Sequence, residues 1–185
     1  MSTTTWAGVS VEDQKTADER IPVLLNTPAS IRFIYAEPLL GRINLAPYLC
    51  QEKARCAQCG FTKPPATIIV VGATSFCPWC AAVCPIGPRL DWVIVGAESG
   101  REARPCDLAW IRSITAQCQA AGVPVFIKQL GKQPYDSVVA WKKVDRLYRP
   151  TAHHAQKLAG LTLKDGKGGD MAEWGKELRV REWPL

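Results

Sequence analysis

No run of about 18 apolar residues occurs anywhere in the chain, which argues against a membrane-spanning helix. The opening MSTTTWAGVS has neither the charged nor the apolar region of a secretory signal, so the expectation is a cytoplasmic protein without membrane contact. A phosphate-binding P-loop, a dinucleotide-binding glycine fingerprint and an H-E-x-x-H metal motif are also missing, which removes the commonest nucleotide and metalloprotease chemistries. GAESG is not a nucleophile elbow, because Ser99 follows a glutamate and lacks the G-x-S-x-G frame. There are no internal repeats, no long low-complexity tract and no block of Lys and Arg.

What is present is one domain's worth of chain, 185 residues with a net charge of +6 that is unevenly placed. Residues 46–90 carry four bases and one acid, and residues 128–185 carry twelve bases and seven acids, whereas the remaining segments are close to neutral. Two readings stay open. One is a solvated basic surface; the other is nucleic-acid binding, with Arg55, Lys63, Lys142, Lys143, Arg146 and Arg149 on phosphates.

Four runs read as strands feeding helices. WAGVSV (6–11) precedes the helix-compatible EDQKTADER, after which Pro22 suits the first turn of a second short helix. IRFIYA (31–36) is the second run, and DWVIVGA (91–97) is the third, apolar enough to be buried on both faces as parallel strands are. A helix follows with Asp107 as N-cap and Gly122 as left-handed C-cap; Leu108, Ile111, Thr115, Cys118 and Ala121 make its apolar face. PVFIKQLG (124–131) is the fourth run, and strand, helix, strand at this spacing predicts parallel βαβ units. The carboxyl ends carry Ser10 with Glu12, Glu37, Glu98 with Ser99, and Lys128 with Gln129. If these converge, they form a rim of three carboxylates and one ammonium suited to an amine-bearing or polar ligand.

Six of the eight cysteines fall in residues 46–90. Cys56-Ala-Gln-Cys59 and Cys77-Pro-Trp-Cys80, seventeen residues apart, have the spacing of a four-thiolate structural zinc ribbon, with TIIVVG (67–72) as a strand between them. Cys77, Cys80 and Cys84 with Cys50 upstream leave an iron-sulfur cluster as the alternative. Cys106 and Cys118 read as ordinary buried thiols, and His153-His154 as a surface pair. Most of the seven tryptophans read as packing groups, with Trp79, Trp174 and Trp183 as candidate exposed contacts.

The segments WAGVSVEDQKTADERIPVLLNTP, RFIYAEPLLGRINL, DWVIVGAESGREARPCDLAWIRSITAQCQAAGVPVFIKQLG and KGGDMAEWGKELRVREWP resemble the C-terminal half of the phage-type radical-SAM-like proteins, a family of largely unassigned function. The resemblance implies an α/β fold, a partial parallel β/α barrel of about four βα units. Residues 1–45 would hold the first two units, 46–90 an inserted four-cysteine zinc ribbon, 91–131 the last two units and 132–185 a basic C-terminal tail packed on the core. It also matches Glu12, Glu37, Glu98, Ser99, Arg104 and Lys128 to the family's rim pattern. The departures are Ala97, where a second glycine is usual, and Leu130, where an aromatic is usual; both bear on a pocket floor. The C-x-x-x-C-x-x-C loop that holds the catalytic cluster in that family lies in its N-terminal half and is missing here.

Full β/α barrels need roughly 250 residues, and about 130 remain here once insertion and tail are set aside. An open half-barrel exposes its edges, so a protein partner or a second copy is expected to cover it, with the zinc module or tail capping one edge. The leading expectation is a zinc-stabilised binding or interaction protein, phage- or mobile-element-encoded and acting on a host defence complex, rather than an enzyme on its own. A subunit of a split radical SAM enzyme and a nucleic-acid-binding zinc protein are the alternatives.

Overall fold

The computed structural model describes residues 5–49, 89–142 and 151–184, together with four short strand segments between 54 and 76. In chain order the elements are β1 (Trp6–Ser10), α1 (Gln14–Leu25), β2 (Ile31–Ala36), α2 (Ala46–Leu49), β3 (Ala54–Arg55), β4 (Thr62–Lys63), β5 (Ile69–Val71) and β6 (Thr74–Phe76). There follow β7 (Trp92–Gly96), β8 (Cys106–Asp107), α3 (Leu108–Ala121), β9 (Val125–Gln129), β10 (Pro134–Tyr135), α4 (Ser137–Lys142) and α5 (Ala152–Ala159). Two 3₁₀ turns, Met171–Glu173 and Lys176–Leu178, complete the order.

Strands β1, β2, β7 and β9 form one parallel sheet in that order, so each lies beside the next of the set in sequence. The β/α organisation expected from the sequence is therefore present as an open four-stranded parallel sheet. All five residues of β7 are buried, as its continuous apolar run predicts for a central strand. The segments β3–β4 and β5–β6 pair antiparallel. The metal candidates Cys56, Cys59, Cys77 and Cys80, and with them Cys50 and Cys84, lie outside the described residues.

Helix α1 departs from expectation. It runs unbroken through Pro22 rather than ending before it. Asp13 and Thr16 close a capping box at its start, and Ala17, Ile21 and Leu24 bury one continuous stripe on the sheet. The stripe spans the proline, so burial on both sides of it outweighs the hydrogen bond that Pro22 cannot donate. Helix α3 has the expected caps: Asp107 accepts from the Ala109 amide, and Gly122 adopts φ 65°. Its buried face comprises Leu108, Ile111, Ile114, Thr115 and Cys118.

Alternation along the strands separates two faces. Val9, Ile34, Val93, Val95, Val125 and Ile127 pack with the buried residues of α1 and α3 in the main core. The other face carries Trp6, Phe33, Tyr35, Trp92 and Phe126, whose rings contact one another edge-on or tilted. Gly8 makes this packing possible, because a Cβ there would run into the Phe33 ring.

The C-terminal segment returns to the sheet. Trp174 and Leu178 enter the main core, and Val180 and Glu182 bond antiparallel to the outer edge of β9: the Ile127 amide donates to the Val180 carbonyl and the Glu182 amide to the Val125 carbonyl, both at 2.9 Å. Trp183 then covers Trp92 and Phe126, with ring centroids 5.1 and 5.2 Å away. Trp174 is thus 2 % exposed and is a core residue, contrary to its reading as a surface contact; its indole N–H is satisfied by the Gly168 carbonyl. Trp183 is exposed at 62 %.

Candidate functional site at the strand ends

The chain leaves β2 through Glu37 and a cis bond to Pro38, then crosses the ends of its neighbours. The Leu39 amide donates to the Gly96 carbonyl (2.9 Å) and the Leu40 amide to the Glu12 carbonyl (2.8 Å). These bonds draw the carboxyl ends of β1, β2 and β7 together. Gln117 of α3 holds the continuation in place, accepting from the Leu45 amide and donating to the Ile43 carbonyl.

Glu37 ties the end of β2 to β9. Lys128 Nζ donates to its two oxygens at 3.0 and 3.1 Å, and Gln129 Nε2 divides its protons between Glu37 and the Ala97 carbonyl. Gly96 leaves room for the carboxylate, since a Cβ there would sit 2.9 Å from Glu37 Cδ. At the end of β7, Glu98 takes both the backbone N–H and the Nε–H of Arg104, at 3.0 and 2.8 Å. Those bonds hold the Glu98 carboxyl below its ordinary range and raise Arg104 further, with the Glu12 charge adding to the effect on Arg104. Glu12 therefore belongs to the same electrostatic cluster. Its own partner is Arg20 of α1, at 3.1 Å, which also donates to the Ser10 carbonyl at 2.7 Å.

The strand-end residues expected to form a rim are found in separate ion pairs. Three carboxylates and one ammonium were anticipated, but each carboxylate has its own base: Glu12 with Arg20, Glu37 with Lys128 and Glu98 with Arg104. Arg20 was missed because it lies on a helix eight residues beyond Glu12, and only the return of α1 along β1 brings it back. Ser10 and Ser99 stand beside Glu12 and Glu98 at accessible positions. Ala97 and Leu130, the two departures expected to shape a pocket floor, belong instead to the hydrophobic core; Gly131, at φ 80°, passes so close that a Cβ there would meet Ala97 and the Glu98 carbonyl.

Other candidates separate from this rim. Cys106 and Cys118 are buried free thiols, and burial pushes both up to about 12, so neither is a nucleophile at neutral pH. His153 is exposed on α5. Among the described residues no group of three or more His, Cys, Asp or Glu side chains is arranged to hold a metal ion. No helix among them is long and apolar enough to cross a membrane.

Fold and site together define an α/β protein with a four-stranded parallel sheet and ion pairs at the carboxyl ends of its strands. The chain belongs to the family described as Protein of unknown function (DUF5131), whose model matches residues 1–175. No curated protein and no solved structure matches it.

Proposed function

We propose that this protein is a binding module on a radical-SAM-like scaffold, a partial β/α barrel that recognises a small zwitterionic ligand at its strand ends rather than turning over a substrate alone. The observation that supports this reading is the presence of three carboxylate–base pairs at the strand ends, Glu12–Arg20, Glu37–Lys128 and Glu98–Arg104. A ligand with an ammonium and a carboxylate exchanges partners with such pairs without leaving any charge unpaired. The desolvation penalty of binding is thereby kept low.

In this reading the cysteine module supplies stability. The first C-x-x-C lies in sequence between β3 and β4, and the second begins directly after β6, so each knuckle adjoins an antiparallel pair. Two such knuckles offer four thiolates to a tetrahedral zinc ion, with Cys56, Cys59, Cys77 and Cys80 as the ligands. Elemental analysis of purified protein should find stoichiometric zinc; a brown, iron-containing sample without zinc would replace the ribbon by an iron–sulfur cluster.

Thermal-shift measurements with a panel of free amino acids and simple amine- and carboxylate-bearing compounds test the rim. The expected result is a stabilising zwitterion whose effect disappears in Glu37→Gln and in Arg104→Met. A panel without any stabiliser, or a shift that survives both substitutions, sinks the proposal.

A further inference from the structure

The register of the sheet sets an apolar row directly beside the Glu37–Lys128 pair. Tyr35 of β2 lies opposite Ile94 of β7, and Ile94 opposite Phe126 of β9. Side chains alternate along a strand, so these three share the aromatic face, and the residues two positions on return to it. Those residues are Glu37, Gly96 and Lys128. Glu37 and Lys128 meet at 3.0 and 3.1 Å beside Gly96, where any Cβ would strike the Glu37 carboxyl. The register shift at Val95/Gly96 also brings Gln129 to Glu37, at 3.3 Å. A charged row and an apolar row thus follow one another along the strands, about 6.6 Å apart, which is two residues of strand rise.

Each row has capacity left over. Gln129 Nε2 gives its protons to Glu37 and the Ala97 carbonyl, while its Oε1 accepts no hydrogen bond among the described residues. The Lys128 side chain is 51 % exposed. In the apolar row Ile94 is buried as a floor, but Tyr35 is 39 % exposed. Among the described residues the Tyr35 ring has one aromatic neighbour, Phe33, edge-on at 5.3 Å.

We infer that the zwitterion taken by the Glu37–Lys128 pair is an aromatic α-amino acid. Its carboxylate meets Lys128, its ammonium meets Glu37 and Gln129 Oε1, and its ring lies against Tyr35 over Ile94. The inference rests on the ligand reading of the strand ends and narrows it to one chemical class. In such an amino acid a single methylene joins the charged head to the ring, which suits two rows one sheet repeat apart. A ring beside Tyr35 also continues the edge-on packing that Tyr35 already makes with Phe33. An aliphatic zwitterion would leave the Tyr35 ring in water. An aromatic amine or an aromatic acid alone would part Glu37 from Lys128 and replace only one of the two charges.

Titration calorimetry of the full chain with L-phenylalanine, L-alanine, phenethylamine and phenylpropionate tests this. L-phenylalanine should bind about tenfold or more tightly than L-alanine, because the apolar surface of its ring leaves water. It should likewise outbind both single-charge analogues. Tyr35→Leu keeps an apolar side chain in place and should narrow the gap between L-phenylalanine and L-alanine several-fold, with L-alanine binding as in wild type. Tyr35→Ala should narrow it further, and an unchanged circular dichroism spectrum checks the folding of both variants. Equal affinity for L-phenylalanine and L-alanine in wild type overturns the inference and leaves the zwitterion reading standing. A ratio unchanged in both variants overturns it in the same way, as does an analogue with one charge that binds as tightly as L-phenylalanine. A wild-type protein that binds none of the four compounds overturns the inference and the zwitterion reading together.

Discussion

The two outer strands of the sheet, β1 and β9, are the same length and run the same way, yet their edges are treated differently. β9 is covered in cis by a segment fixed through Trp174, Leu178 and Arg181, the last of which donates to the Ile127 and Lys128 carbonyls. On β1, among the described residues, Arg20 reaches the Ser10 carbonyl at the strand end and no strand pairs with the outer edge. An edge is a pairing template unless it is covered, so the contrast teaches how the returning C-terminal segment closes the β9 side of the sheet.

The strongest way to break this contrast is to uncover β9. Trp174→Ala removes a buried indole that anchors the cap and should cost about 3–5 kcal/mol, read from denaturant midpoints, with self-association through β9 as the accompanying sign. Arg112→Ala acts next: Arg112 bridges Asp136 at 2.8 Å and Glu177 at 3.1 Å, tying α3 to α4 and to the turn before the cap. Losing both bonds should cost roughly 1–2 kcal/mol in the same measurement.

The same bridge gives a pH dependence. Burial opposes the charge on Asp136, but the Arg112 bonds and the Val138 and Val139 amides outweigh it and its carboxyl is held below the ordinary 3.8. A depressed folded value adds stability above the unfolded value and loses it as pH falls through the folded value. The stability difference between wild type and Asp136→Asn should accordingly be constant near neutrality and shrink in acid below about pH 4; a difference that persists unchanged in strong acid would contradict the pairing.

Trp183→Ala removes an exposed ring that only lies over Trp92 and Phe126, and should cost about 1 kcal/mol. Arg20→Ala, beside β1, should leave stability within about 0.5 kcal/mol, because its pair with Glu12 is largely solvent-exposed. A large loss there would mean that β1 is closed more firmly than its contacts indicate.

Much of the fold was legible locally. β2 spans the residues that its β-branched and aromatic run marks, and the caps at Asp107 and Gly122 stand where short-range hydrogen bonding demands them. Pro22 misled because burial of Ile21 and Leu24 outweighed a local rule. Trp174 misled because indoles in a polar, glycine-containing tail look alike in sequence until one finds a cavity to fill. The rim was legible only as a set of positions: nothing near Glu12 in sequence announces that Arg20 will turn back to it.

The sequence by itself determined where the four parallel strands and α3 lie, how α3 is capped, and that polar groups end all four strands, since each depends on residues a few positions apart. Only the tertiary structure decided that Glu37 pairs with Lys128, 91 residues away, and that the C-terminal segment covers the β9 edge. Pairing across such distances is set by strand order and by the path of the returning chain, which local hydrogen bonding and periodicity do not encode.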